Sequence, residues 1–378
     1  MIVDLHAHYP MHLMPPEHRD THRWVLAPWP GSRWRSVVLE ILSRLANYQG
    51  PGGGPSVTVP LMKEGDVGAA LSVLYAPFDE MDLSEPYGAP PLSRYVQSLR
   101  DQMTLVEQEV DGDGDAEMAR NPEQLDAAIA AGRVGIVHCI EGAFALGATA
   151  TEIADTVREF AERGLAYVTL AHLFYRGVAQ NAPALPFMPD PLYRIVFPQK
   201  GSTGLTPLGE AAVRAMAEHR VLVDVTHMND RALEHTFRVM DRETPLIASH
   251  IACRTTHEYN LTDDAIREIG RRGGVIGAIV CEHWATDGLS KPKTFHESVE
   301  VICAQIDRIR RVTGSDDNIA LGTDLDGYIK PALAGLEHEG RMKPLQDALI
   351  ARYGEDVARK ICADNVLALL RRYWRGGA

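Results

Sequence analysis

The sequence predicts a (β/α)8 barrel of the TIM type, and three observations lead there. Eight short apolar runs recur along the chain, each bounded by turn signals: Ile2–His8, Ala69–Ala76, Val134–Glu141, Ala166–His172, Val221–His227, Pro245–His250, Gly274–Cys281 and Ile319–Asp324. Most are near-continuous Val, Ile, Leu and Ala, the pattern of parallel strands covered on both faces. Amphipathic helical stretches separate them, as in an alternating strand–helix chain that closes on itself. No glycine fingerprint follows the first run, which counts against a doubly wound open sheet.

Between the runs the helices carry their own punctuation. Thr206-Pro207 reads as an N-cap with proline at the first helical position, leading into Glu210–His219. Thr262 caps Asp263–Arg272, whose aspartates suit the positive end of the helix dipole, and Gly273 ends it. Val299, Ile302, Ile306 and Ile309 recur at helical spacing up to Gly314. Three stretches break the repeat. Residues 9–60 carry Trp24, Trp29, Trp34 and a Gly-Pro cluster, and read as a long insertion after strand one that covers the barrel mouth. Phe78–Ser93 and Phe174–Thr203 read as further lids or substrate walls. With no internal repeat and no linker, residues 1–378 read as one domain. Asp111-Gly112-Asp113-Gly114-Asp115 imitates the start of an EF-hand loop, but Ala116 stands at its sixth position and Pro122 at its twelfth, so it reads as a solvated turn.

Composition narrows the partners. The chain carries 38 Lys plus Arg against 51 Asp plus Glu, a net charge of −13, which repels phosphate backbones and argues against nucleic acid. No apolar run reaches the ~18–20 residues of a membrane span, so no membrane association is expected. Strand-like residues begin at Ile2 with no secretory leader before them, and five scattered cysteines lack CxxC spacing. Together these point to reduced thiols and a cytoplasmic location.

The chemistry gathers where barrel chemistry gathers, at the C-terminal ends of strands. His6, His8, Glu141, His172, His227, His250 and Asp324 end six of the eight runs. One histidine ending a strand is more often a hydrogen-bonded structural group than a ligand; seven metal-competent or titratable groups together predict a metal site. His6 and His8 lie two apart and share a face. On the third run Val137, Cys139 and Glu141 share a face, while His138 points toward the helices and is excluded. Asp4, Asp224 and Asp326 read as structural groups or groups that orient ligands. Four histidines and a carboxylate suit Zn²⁺ and are too many for one open catalytic zinc. Two ions sharing Glu141 use them all, and such a pair activates a bridging water and polarises a carbonyl.

Val3-Asp4-Leu5-His6-Ala7-His8 resembles the opening of amidohydrolase-superfamily barrels. Six further segments resemble the membrane (renal) dipeptidase family of zinc metallopeptidases: Ile140-Glu141-Gly142, Tyr167–His172, Gly204–Gly209, Val223–His227, Ala248-Ser249-His250 and Leu321–Gly327. Ala363-Asp364-Asn365 is similar to that family's closing helix, so the likeness runs over nearly the whole chain. The resemblance implies hydrolysis of dipeptides, with tolerance of D-residues at the C-terminal position. It implies His6 and His8 on one ion, His227 and His250 on the other, and Glu141 between them. His172 then holds the substrate carbonyl and its oxyanion, and Asp324 orients the nucleophilic water and passes a proton to the leaving amine. A homodimer is a further family expectation.

Two departures from the family pattern bear on the substrate. His8 stands where the family has Asp, and Tyr259 precedes Asn260 where the family has an Arg that grips the dipeptide carboxylate. Arg254 is the nearest cation, so Arg254 and Tyr259 join His172 as candidate substrate-binding residues. The expectation is therefore a metallo-dipeptidase acting on a small peptide or amide. The alternatives are a specialised amidohydrolase acting on a modified peptide, N-acyl amino acid, lactam or natural-product intermediate, and a catalytically silent metal-binding barrel.

Overall fold

A computed structural model describes residues 1–13, 54–82, 84–186, 188–199, 201, 204–327 and 331–377. Most of the expected insertion, including its three tryptophans, lies outside the described residues. Nine strands are present: β1 (Ile2–Ala7), β2 (Val67–Tyr75), β3 (Ala116–Met118), β4 (Val134–Glu141), β5 (Tyr167–Thr169), β6 (Leu222–Asp224), β7 (Leu246–Ile251), β8 (Ile276–Ala278) and β9 (Ile319–Leu321). All pair in parallel. β1 and β9 pair with each other, and β2 pairs with both β1 and β4, so eight strands close into a ring surrounded by helices. The predicted barrel is the observed one.

β3 was not foreseen. It pairs only with the first half of β4, from Val134 to Ile136, below the point where β5 takes over that edge at Cys139. Three residues of Ala-Glu-Met carry no alternation from which to read a strand. The acidic turn before it is what the sequence suggested, with Asp113 accepting from the exposed amide of Asp115.

The helix signals hold. Thr206, Thr262 and Thr294 each accept from the third amide of their helices, and Thr294 with Glu297 completes a capping box. Gly314 ends the helix Phe295–Thr313 in the left-handed conformation.

Two apolar clusters build the core. One lies between sheet and helices. The other fills the barrel, where Val3, Leu5, Leu71, Val73, Val137, Cys139 and Ile247 pack with Val366, Leu367, Leu370 and Trp374 from the C-terminal helix. That helix plugs the end of the barrel where the strands begin: Asn365 Nδ2 donates to the Ile319 carbonyl at 2.8 Å, and Trp374 Nε1 to that of Leu165 at 3.1 Å. The opposite rim is left for the titratable groups.

Candidate metal centre

Alternation alone delivers Glu141. Val137 and Cys139 belong to the barrel interior, so the next residue but one points inward at the mouth. His138 faces the other way, 3.4 Å from Glu107 on the helix Val96–Asp111, as its parity required.

His6 and His250 need more than alternation. Leu5 already faces the interior, so regular pleating would send His6 outward. Instead Asp4 pairs with Ala70 and Ala7 with Ser72, three steps on β1 against two on β2. The same count recurs on β7, where Ala248 pairs with Ile276 and Ile251 with Ala278. Each is a one-residue bulge, and each turns two consecutive residues inward: Leu5 with His6, and Ser249 with His250. The β7 bulge throws the Ser249 carbonyl against β8 and β9. A Cβ on Gly277 would lie 1.9 Å from that oxygen, and one on Gly322 1.8 Å, so both positions must be glycine.

His172, His227 and Asp324 were expected at strand ends. They lie three residues beyond the last paired residues Thr169, Asp224 and Leu321. His227 and Asp324, with Asp326, take positive φ of 66°, 57° and 60°, a conformation that ends pairing and costs a non-glycine residue on the order of 1 kcal/mol. Three such residues at one mouth mark strain held in place by the surrounding fold.

The result is a ring of imidazoles around one carboxylate. Glu141 Oε1 lies 3.5 Å from His6 Nε2, 3.2 Å from His227 Nε2 and 3.4 Å from His250 Nε2. Glu141 Oε2 lies 3.4 Å from His8 Nε2 and 3.2 Å from His172 Nε2. His6 and His8 Nε2 are 3.3 Å apart, and those of His227 and His250 3.0 Å. Asp324 Oδ1 stands 3.2 Å from His8 Nε2. Gly327 makes room for it, since a Cβ there would lie 2.1 Å from that oxygen.

Tautomers follow from the surrounding hydrogen bonds. The Tyr167 hydroxyl donates to the Leu5 carbonyl, so its oxygen accepts from His6 Nδ1 at 2.8 Å. The Ser249 hydroxyl donates to Asp224, so its oxygen accepts from His6 Nδ1 at 3.1 Å and His250 Nδ1 at 2.9 Å. Both rings therefore turn an Nε2 lone pair toward Glu141. Asp224 accepts five hydrogen bonds, from Thr169, Thr226 and Ser249, and acts as an orienting group. Asp4 holds the amides of His6 and Thr323, and Asp326 those of Ser56 and Val57.

Burial decides the charges. It pushes the His6, His172 and His250 rings well below their ordinary range and His227 down to about 4, so these stay neutral. At His8 burial also lowers, but the Asp324 and Glu141 carboxylates outweigh it and raise the ring. Burial raises Glu141 well above the carboxylate range. Both its oxygens are buried without a hydrogen-bond partner, and the lone-pair nitrogens of His6 and His250 lie beside one of them. That arrangement is unfavourable unless cations sit among the atoms, and His6–His8–Glu141 and Glu141–His227–His250 each bring three ligand atoms within 4.8 Å of one another. The donor set fits divalent cations.

The sequence missed Glu80. It is buried at the end of the one-turn helix Pro77–Glu80 after β2, where it accepts from the Tyr75 hydroxyl and the Phe174 amide and lies 3.0 Å from His172 Nδ1. Burial pushes its carboxyl up to about 7. Strand two was the one run ending without a metal-competent side chain, at Ala76; an acid five residues past Tyr75 was the only signal.

Arg254 is held by its own neighbours. Its guanidinium forms a two-point pair with Asp230 at 2.7 and 2.8 Å and donates to the Asn260 and Glu258 carbonyls. Tyr259 is buried, stacks on Trp284, and donates to the His250 carbonyl at 3.0 Å with its ring 5.0 Å from that of His227. It backs a ligand rather than offering a charge.

The chain is similar to several known proteins. The chain is 28% identical over 184 residues to a protein of Klebsiella pneumoniae described as uncharacterized in the pqqA 5′ region, covering 47% of this chain and 65% of that one. It is 26% identical over 225 residues to Dipeptidase 3 of Mus musculus, covering 57% and 41%. The chain thus spans less than two thirds of the length of these curated relatives. A metallopeptidase from Rhodobacter sphaeroides, solved with a phosphinate mimic of the dipeptide L-Ala-D-Ala, shares the fold with a TM-score of 0.71, 22% identity and 99% coverage of both chains. Residues 46–373 match the profile of the membrane dipeptidase family, a range that holds seven of the eight barrel strands and begins after His6 and His8. The barrel that focuses these side chains on Glu141 is accordingly that of a member of the membrane dipeptidase family, peptidase family M19.

Proposed function

We propose that this chain hydrolyses the peptide bond of dipeptides with two Zn²⁺ ions, one held by His6 and His8, the other by His227 and His250, with Glu141 shared. The observation that carries the reading is Glu141 itself, a buried carboxylate with no hydrogen-bond partner on either oxygen and five imidazole nitrogens within 3.5 Å. When bound, such ions polarise a scissile carbonyl and acidify water.

The protein groups divide the remaining work. When Glu80, pushed up to about 7, holds its proton, it donates it to His172 Nδ1, and the neutral ring then carries its own proton on Nε2. That N–H points into the cluster and serves the carbonyl oxygen as negative charge develops on it. Asp324 accepts a proton from the attacking water and delivers it to the leaving amine. A D-residue at the second position is expected to be accepted, as the L-Ala-D-Ala mimic in the R. sphaeroides relative suggests. Five unpaired, buried cysteines support a cytoplasmic setting.

The test is a panel of L,L- and L,D-dipeptides assayed with and without chelator. Metal-dependent release of free amino acids is expected, and full turnover in rigorously metal-free protein overturns the reading. One observation favours a second substrate class: Arg254 is committed to Asp230, and Tyr259 is uncharged. A substrate without a free carboxylate at that end, such as an amide or lactam, needs no cation there. Turnover of such compounds with failure across the dipeptide panel selects it.

A further inference from the structure

We propose that Ser249 is a positioning residue shared by the two metal sites, a single hydroxyl that aims one ligand of each. This rests on the two-ion reading above. Ser249 is fully buried, and its oxygen uses its whole capacity: it donates to Asp224 Oδ2 at 2.6 Å and accepts from His250 Nδ1 at 2.9 Å and His6 Nδ1 at 3.1 Å. The rings lie with centroids 3.7 Å apart at 42° to each other, and the Ser249 oxygen reaches both Nδ1 atoms. The β7 bulge is what makes this reach available, because it turns Ser249 and His250 inward together. The Ser249 amide donates to the same Asp224, at 3.0 Å, so the carboxylate holds the residue by two points.

The arrangement is asymmetric. His6 Nδ1 has a second acceptor, the Tyr167 oxygen at 2.8 Å, whereas Ser249 is the one acceptor His250 Nδ1 has among the described residues. Removing the hydroxyl frees the His250 ring and leaves the His6 ring oriented. The hydroxyl therefore acts chiefly on the ion at His227 and His250, and on the other ion only when Tyr167 is also removed.

Zn²⁺ binding to chelator-stripped, full-length protein, followed in competition with a chromophoric chelator, tests this without reference to turnover. Wild type is expected to bind two ions in resolvable steps. Ser249→Ala is expected to weaken one step 10–100-fold and leave the other within about threefold. Tyr167→Phe, which deletes only a hydroxyl, is expected to leave both steps within about threefold, and the double variant to weaken both. Melting temperatures in excess chelator, unchanged among the variants, separate ligand positioning from loss of fold. Equal affinity of Ser249→Ala and wild type at both steps overturns the inference, as does a Tyr167→Phe variant that alone loses one ion. A wild type that holds no ion overturns the two-ion reading and this inference with it; a two-ion wild type with an unaltered Ser249→Ala overturns the inference alone.

Discussion

Gly322→Ala tests whether the β7 bulge builds the centre. The new methyl would stand 1.8 Å from the Ser249 carbonyl oxygen and 2.9 Å from its carbon. Carbon and oxygen approach to roughly 3.3 Å at closest, so one must retreat by roughly 1.5 Å. The obstacle is backbone on both sides, so no side chain can swing away. Overpacking of this kind costs about 3 kcal/mol, or roughly 6 °C of melting temperature for a chain of this size. The larger effect falls on the metal: ligand distances tolerate about 0.2 Å, and the displaced segment carries both Ser249 and His250. Wild-type protein at ~100 times the Zn²⁺ dissociation constant gains about 2.7 kcal/mol from binding, visible as a metal-dependent rise in melting temperature. Scanning calorimetry of both proteins with Zn²⁺ and with chelator is the assay. The variant should melt lower in chelator and lose much of the Zn²⁺ increment; an increment equal to that of wild type refutes the role given to the bulge.

Asp324→Asn should lower kcat 10²–10⁴-fold with unchanged metal content, because the carboxylate stands beside the ligands and handles protons; steady-state kinetics with metal analysis check it. His138→Asn should leave metal binding and turnover intact while costing about 1–2 kcal/mol in urea melts, since it removes the buried partner of Glu107. Burial alone would raise the Asp287 carboxyl, but the Thr256 hydroxyl and the amides of Thr255, Thr256 and His257 outweigh it and hold the group down to about 2, against 3.8 ordinarily. With the folded value lowered, its stabilisation is complete above about pH 4 and fades as pH falls toward 2. Asp287→Asn should therefore cost about 1–2 kcal/mol at neutral pH, a gap that narrows below pH 4 in urea melts; a pH-independent gap contradicts the assignment.

The linear chain already contained the alternation of eight apolar runs with capped helices, and the parity that points Glu141 inward and His138 outward. These were legible because strand and helix periods are local, set by chirality and hydrogen bonding within a few residues. Tertiary structure alone decided the rest. The two bulges that turn His6 and His250 inward exist through register with neighbouring strands, which no local pattern records. Glu80 joins the centre through His172, 92 residues away in sequence, and Arg254 is paired by Asp230, 24 residues away. Periodicity told which side chains could converge; only the closed sheet, with its register and its long-range partners, determined which of them do.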